Sequence, residues 1–401
     1  MIILSNDHIS NAPGSRVRSQ GGVAVFAKIF SRCVAARGHQ WTGVVLKGDL
    51  KRKFRSKKTM RTHKRAYIEV RHSKQYWARI NRAKQYLDPN DALDPMIAYL
   101  AGLIKKIQPD IIFLNGFGMV PWLLMKAGYE TGVPTVIQHG GIWTKEIEMY
   151  RDVYHPATLK ILCKMEREIS RYVDHEIFLN KKSWDVYNEA VVKVSKKNAS
   201  IIPLPYATLA YHEKTKAKKD VYNIGIVARW DRIKNHEAVL RLAKRAREKD
   251  LPWVFHAVTS IPQTNIKKEF KDEYRTFISV EKPKDRKGIV RFFQKMDLMI
   301  LPSHFDVSPF VVIEAAMEGT PTLISPYVGH VDEYKKAGAN EWVVDFSDEE
   351  KVVRRIQKII GKPISKKLVH SFEKLHDPER VCGHYLALFK HMKEKVLTKK
   401  I

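Results

Sequence analysis

The hydrophobic positions of this chain fall into two kinds of stretch. Short, almost uniformly apolar runs, bounded by polar or glycine-containing loops, have the length of strands buried on both faces of a sheet. They fall at 1–5, 42–46, 110–114, 135–138, 176–179 and 201–203, and again at 222–228, 253–258, 277–280, 297–302 and 320–325. Between them lie stretches of helical period. One carries Phe26, Ile29, Phe30, Cys33 and Val34 ahead of Gly38, and another carries Val239, Leu240 and Ala243 within 236–248. Further helices are expected at 122–132, at 287–294 and at 378–395, the last with Val381, Tyr385, Leu388 and Met392 on one face. Strands alternating with helices predict an α/β fold with parallel sheets. The polar, unperiodic stretch 211–220 reads as a linker. It divides the chain into a first domain over 1–210 and a second over 221–377, followed by a terminal helix over 378–401.

The stretch 301–333 is the most informative. An apolar strand is followed by a polar loop that ends at Ser308-Pro309, where serine suits a helix N-cap and proline the first helical position. The helix is expected over 309–318, with Gly319 as its stop and 320–325 as the returning strand. Ligands of such sheets sit beyond the carboxyl ends of the strands, where the amides of a helix start attract anions. Phe310 and Val311 supply those amides, and Asp306 and Glu314 flank them with carboxylates. A nucleotide fits this arrangement, its diphosphate on the amides and its ribose hydroxyls on a carboxylate. A solvated loop acid beside a helix-surface glutamate is the plainer alternative.

Asp306 and Glu314, separated by seven residues and followed by Ala315 and Gly319-Thr320-Pro321, resemble the E-x7-E region of family-four glycosyltransferases of the GT-B fold. Asp stands here where the family usually has the first Glu, and Val307 where Gly is frequent. The segment GIVARWDRIK resembles the family's G-R-x4-K, in which Arg229 and Lys234 would hold the leaving diphosphate. Gln138-His139-Gly140-Gly141 resembles the HG motif, which implies that His139 contacts the donor sugar. Gly21-Gly22 before an amphipathic helix resembles the family's opening, which places Gly22 near the donor phosphates. Gly329 and Glu333 match a G-x3-E tail. The resemblance implies two Rossmann-like domains facing across a cleft, the last helix crossing back to the first domain. It further implies transfer of a sugar from a nucleotide-diphosphate-sugar donor with retention of configuration, His139, Asp306, Arg229 and Lys234 acting in catalysis and Gly22, Phe310, Val311 and Glu314 binding the donor.

Composition adds a question about partners. The 401 residues include 72 Lys and Arg against 43 Asp and Glu, a net charge of +29, which favours anionic partners without bearing on the fold. Much of this charge lies in 47–84, which includes Lys51, Arg52, Lys53, Arg55, Lys57 and Lys58. From Ser73 onward Tyr76, Ile80, Ala83 and Leu87 recur at helical spacing. The stretch 47–87 is expected to lie on an anionic membrane surface, which would suit a lipid-linked acceptor or membrane glycan. RNA binding fits the same composition, and so does a solvated basic face whose apolar stripe packs on the first domain.

Cys33, Cys163 and Cys382 are far apart in sequence and form no metal-ligand or redox spacing, which suits a reducing, cytoplasmic compartment with peripheral contact to the inner membrane face. The first residues read as a strand rather than a leader, and no apolar stretch reaches the ~20 residues of a spanning helix. No D-x-D motif occurs, so metal ligands are not expected and the donor diphosphate is expected to be neutralised by protein groups. Two rival classes are a nucleic-acid-binding or RNA-modifying protein on the same scaffold, and an inactive carbohydrate-binding protein.

Overall fold

A computed structural model describes residues 1–8, 22–49, 54–73, 79–206, 213, 219–259 and 274–399. Most of the expected linker 211–220 lies outside these residues, as do Lys51, Arg52, Lys53, Tyr76 and Trp77. The chain forms two compact units, Met1–Ala207 with His376–Ile401, and Thr208–Leu375.

The first unit is built on an eight-stranded sheet. Its strands are β1 (Ile2–Asn6), β2 (Gln40–Asp49), β3 (Arg55–Thr62), β4 (Arg65–Ser73), β5 (Ile111–Asn115), β6 (Thr135–His139), β7 (His175–Phe178) and β8 (Ala199–Ile201), in the order β3-β4-β2-β1-β5-β6-β7-β8. All neighbouring pairs are parallel except β3 with β4. Every residue of β5, β6 and β7 is buried; β5 reads as a nearly continuous apolar run, whereas β6 and β7 also bury Thr135, Gln138, His139, His175 and Glu176.

The β3–β4 hairpin was not expected, but its exposed cations and the inward packing that follows agree with the alternative of a solvated basic face whose apolar stripe packs on the first domain. Strand β3 is exposed along nearly its whole length, so it carries no apolar alternation by which a sequence pattern could announce it. Its lysines and arginines sit on a sheet edge, where charge discourages pairing with another chain. Ile80 and Ala83 are buried in the first unit's core with Leu93, Leu100 and Ile112. The Thr158 hydroxyl donates to the carbonyls of Ile80 and Ala83. This part of the apolar stripe packs inward and is not available for a membrane surface.

The last helix, Pro378–Lys399, lies in the first unit. Its buried face is Val381, Cys382, Tyr385, Phe389 and Met392, with Phe389 taking the place expected for the half-buried Leu388. Tyr385 and Phe389 join Phe26, Phe30, Trp41 and Phe113 in one aromatic cluster, with ring centroids 5.0 Å apart for Phe30 and Tyr385 and 5.2 Å for Phe113 and Phe389. The same packing brings Cys33 onto this helix. Its Sγ lies 3.6 Å from the Pro378 carbonyl, and it shares a thiol hydrogen bond with Cys382. Sequence distance hid that pairing.

The second unit has a five-stranded, all-parallel sheet of β9 (Tyr222–Val227), β10 (Trp253–Val258), β11 (Ile278–Glu281), β12 (Leu298–Leu301) and β13 (Thr322–Ile324), ordered β11-β10-β9-β12-β13. The order reverses between β9 and β12, the place where open α/β sheets bind ligands. Behind it Val258, Ile289, Phe292, Phe293, Met296, Met299 and Ala315 form a core cluster. Gly225 lets that cluster close on β9, since a Cβ there would lie 2.8 Å from both Met296 and Met299.

Candidate functional site

The loops that follow β9 and β12 leave neighbouring strands on the two sides of the order reversal, and the chain ties them together. Asp231 accepts the Ile233 amide at 3.0 Å and Asn235 takes a left-handed conformation, φ 51°. The His304 amide donates to the Ile233 carbonyl at 2.8 Å, and the Asn235 side chain reaches the Pro302 carbonyl at 3.3 Å. On the far side, the Gly329 amide donates to the Asp306 carbonyl at 2.8 Å, and Asp306 bridges Val328.

This frame joins Lys234 to Asp306. The Lys234 ammonium is ion-paired with the Asp306 carboxylate, and the side chains are only 19% and 13% exposed. The cation assigned to the diphosphate and the carboxylate assigned to the sugar side are thus each other's partner. An ammonium has three donors, so a pairing with one carboxylate oxygen leaves capacity for a phosphate. Arg229 stands at the mouth of the same loop, 69% exposed and 3.8 Å from Asp231, so its guanidinium can turn at little cost.

The helix Phe310–Met317 begins just beyond Asp306. Its N-cap is Pro309, extended at φ −70° and ψ 117°, and no side chain caps it. The expected Ser308 cap is therefore displaced by one residue, because Pro309 holds the extended conformation that a cap requires. Phe310 and Val311 are the first two helical residues, so their amides point out of the helix start. Glu314 follows one turn later and is half-buried. Burial pushes its carboxyl up to about 7, against the opposing pull of Arg286. A freely solvated surface glutamate would not titrate there. His236, which opens the helix His236–Glu248, is buried against Trp230 with ring centroids 4.5 Å apart, and burial holds it neutral with a value of about 4.

In the first unit, Gly22 is exposed at the start of the helix Gly22–Ala36. The next residue is anchored by a buried amide network at the carboxyl ends of β1, β5 and β6. The Asn6 side chain accepts the Asn115 amide at 2.7 Å and donates to the Asn115 carbonyl at 3.0 Å. Asn115 donates to the Val23 carbonyl at 3.0 Å, Gln138 donates to Asn115 at 3.4 Å, and the Tyr385 hydroxyl donates to Gln138. Sequence reasoning passed over Asn6 and Asn115. The signal was available in IILSN and IIFLN, two apolar strands that each end in asparagine.

His139 ends β6 and is 0% exposed. Its Nε2 lies 2.7 Å from Glu176, whose other oxygen accepts from Ser170 at 2.6 Å, and its ring lies against Phe178 and Tyr187. In this structure the imidazole braces the sheet beneath the Gly140-Gly141 turn. A Cβ at Gly141 would fall 2.3 Å from the Glu146 carboxylate, the far end of a flexible side chain that would have to swing aside. The buried Glu166 carboxylate accepts the amides of Trp143 and Thr144 at 2.8 and 2.7 Å and the Thr144 hydroxyl at 2.6 Å, capping the helix Trp143–Glu146. The structure thus gathers Arg229, Lys234, Asp306, Phe310, Val311 and Glu314 at one end of the second unit. In the first unit Gly22 opens a helix and His139 ends a strand.

Residues 208–374 match the family described as Glycosyl transferases group 1, a span that falls on the second unit. No curated protein matches the chain. Among solved structures the chain resembles sucrose-phosphate synthase from Thermosynechococcus elongatus, with a TM-score of 0.72 and 14% identity over 98% of this chain and 99% of that one. It also resembles a UDP-forming α,α-trehalose-phosphate synthase from Burkholderia xenovorans, with a TM-score of 0.67 and 12% identity over 98% and 99% of the two chains. A third match is an E. coli trehalose-6-phosphate structure bound with UDP-2-fluoro glucose, at a TM-score of 0.66 and 13% identity over 97% and 99%. These likenesses fix the architecture as GT-B, with two Rossmann-like units.

Proposed function

We propose that this chain is a retaining glycosyltransferase that moves a sugar from a nucleotide-diphosphate-sugar donor to an acceptor without an obligatory divalent ion. The observation that carries the reading is the Lys234–Asp306 pair at the order reversal of the second sheet, beside the start of the helix that carries Glu314. The hard requirement of the reaction is to stabilise the diphosphate as it leaves. Lys234, a turned Arg229 and the Phe310 and Val311 amides do this electrostatically. Glu314 accepts hydrogen bonds from the ribose, and Asp306 holds Lys234 in place while facing the sugar side. With no enzyme nucleophile invoked, the C–O bond to the diphosphate breaks as the acceptor oxygen attacks from the same face. The departing phosphate oxygen takes the acceptor's proton. Relatives described as UDP-forming and as bound with UDP-2-fluoro glucose make uridine the first base to test.

The charge of +29 favours an anionic acceptor, and a structure of the Burkholderia xenovorans enzyme is described in complex with glucose-6-phosphate. A cytoplasmic enzyme with peripheral contact to an anionic membrane remains part of this reading. The contact rests on cations of the exposed strand β3, such as Lys57 and Lys58, not on the buried Ile80. Among the described residues no helix is long and apolar enough to cross a membrane. The test is a thermal-shift titration with UDP, GDP and ADP followed by assay of the matching nucleotide-sugars for hydrolysis and transfer. Stabilisation of about 2.7 kcal/mol is expected at a hundred times Kd. Absence of any nucleotide binding, with tight RNA binding in its place, would replace the reading by the nucleic-acid one.

A further inference from the structure

The first unit contains a cavity that the reading above does not use. It opens among three consecutive elements beyond the Gly140-Gly141 turn: the helix Trp143–Glu146, the single turn Ile147–Tyr150 and the helix Pro156–Arg167. Its volume is about 310 Å³, at the lower end of the roughly 300–1,000 Å³ typical of small-ligand pockets. Arg151, Lys160 and Arg167 line it, with Thr144, Cys163 and Glu148. Lys160, Cys163 and Arg167 stand three and four residues apart along one helix face, so both cations address the same space.

The charge in this cavity is uncompensated. Glu148, its one lining carboxylate, already lies 3.7 Å from Lys145. The neighbouring Glu166 is buried and fully engaged by Trp143 and Thr144. Among the described residues Arg151, Lys160 and Arg167 have no carboxylate partner, while Lys160 rests over the Tyr86 ring with 5.2 Å to its centroid. Arg151 and Arg167 line the cavity together with the half-buried Cys163. Thr144 donates its hydroxyl proton to Glu166 and shares a hydrogen bond with the Cys163 thiol, which leaves its oxygen one further lone pair to accept from a ligand hydroxyl.

We propose that this cavity binds a small phosphate monoester that also carries hydroxyl groups, its phosphate held by Arg151, Arg167 and Lys160 and a hydroxyl directed at Thr144. Planar guanidinium forks match a phosphate's oxygens in pairs. The size admits a phosphorylated monosaccharide or the head of a phospholipid, but not a nucleic-acid helix. Identifying this ligand as the sugar acceptor rests on the glycosyl-transfer reading above, whereas the binding site itself does not.

The experiment measures binding directly, without donor. Wild-type protein is titrated by calorimetry with glucose 6-phosphate, glucose and inorganic phosphate. In parallel it is sedimented with phosphatidylcholine vesicles with and without phosphatidic acid. The variants are Arg151→Gln, Arg167→Gln and, as a control of equal charge change at an exposed helical position of the second unit, Arg354→Gln. Binding of glucose 6-phosphate but not glucose is expected, weakened about tenfold or more by either cavity variant and little by the control. If vesicles carrying phosphatidic acid bind through Arg151 and Arg167 while glucose 6-phosphate does not, the same chemistry is supplied by a lipid head. Equal losses in control and cavity variants, or no binding of either monoester, overturn the proposal. Equal affinity for inorganic phosphate and glucose 6-phosphate overturns its hydroxyl contact. A separate titration with UDP and its Lys234→Ala variant tests the donor site, so failure there sinks the transferase reading and leaves the cavity standing.

Discussion

Burial holds the Glu314 carboxyl at about 7, above its ordinary value of 4.5, and this couples both stability and donor binding to pH. The folded state holds the proton more tightly than the unfolded one. The group's contribution to stability is therefore complete below pH 4.5 and is lost as pH rises through 7. Glu314→Gln removes the ionisation, so its melting temperature should gain on wild type above pH 7 relative to the difference below pH 4.5. Donor affinity should run the other way, tightening as Glu314 ionises and can accept from ribose. A nucleotide-diphosphate-sugar is the right probe, since it lacks the phosphate monoester that titrates near pH ~6. In Glu314→Gln the pH dependence should vanish and binding weaken by about 1.5–3 kcal/mol; an unchanged pH profile would remove Glu314 from the site. Lys234 and Asp306 make a sharper pair. Asp306 positions the ammonium and offsets part of its charge while leaving it donors for the diphosphate. Lys234→Ala should weaken nucleoside-diphosphate binding, whereas Asp306→Asn should leave it equal or tighter while lowering kcat. Parallel losses of affinity in both variants would contradict the assignment.

At the scale of elements, the terminal helix and the apolar stripe at Ile80 are parts of one core. Phe389 is fully buried against Phe113 and Phe30, so Phe389→Ala should cost about 3–5 kcal/mol, and Ile80→Ala about 2–5 kcal/mol. Denaturant titration checks both. A melting point unmoved by Ile80→Ala, alongside lost vesicle binding, would instead return that stripe to the surface. The terminal helix was legible because its apolar residues repeat at helical spacing over many turns. The β3–β4 hairpin was not, because an edge strand exposed on both faces has no reason to alternate.

For the whole molecule, the large positive charge sets which ligands come near and leaves the folding pattern alone. If protein cations neutralise the diphosphate, turnover should survive EDTA. Complete loss on chelation, restored by magnesium or manganese, would show that a metal ion supplies the leaving-group stabilisation.

What the sequence determined by itself was local and periodic. Apolar runs marked the buried parallel strands, and their alternation with amphipathic helices marked the α/β class. Strand ends followed by glycine, lysine or a proline-led helix marked the candidate site. Tertiary structure decided which of those residues share partners. It set Lys234 on Asp306, closed His139 against Glu176 and brought Cys33 beside Cys382. It also turned a dispersed set of cations into the cavity around Arg151 and Arg167. Periodicity reports the direction in which a side chain leaves its own element. Pairing, burial and the pKa of Glu314 depend on which other element arrives opposite, and that is settled only when sheets and helices pack.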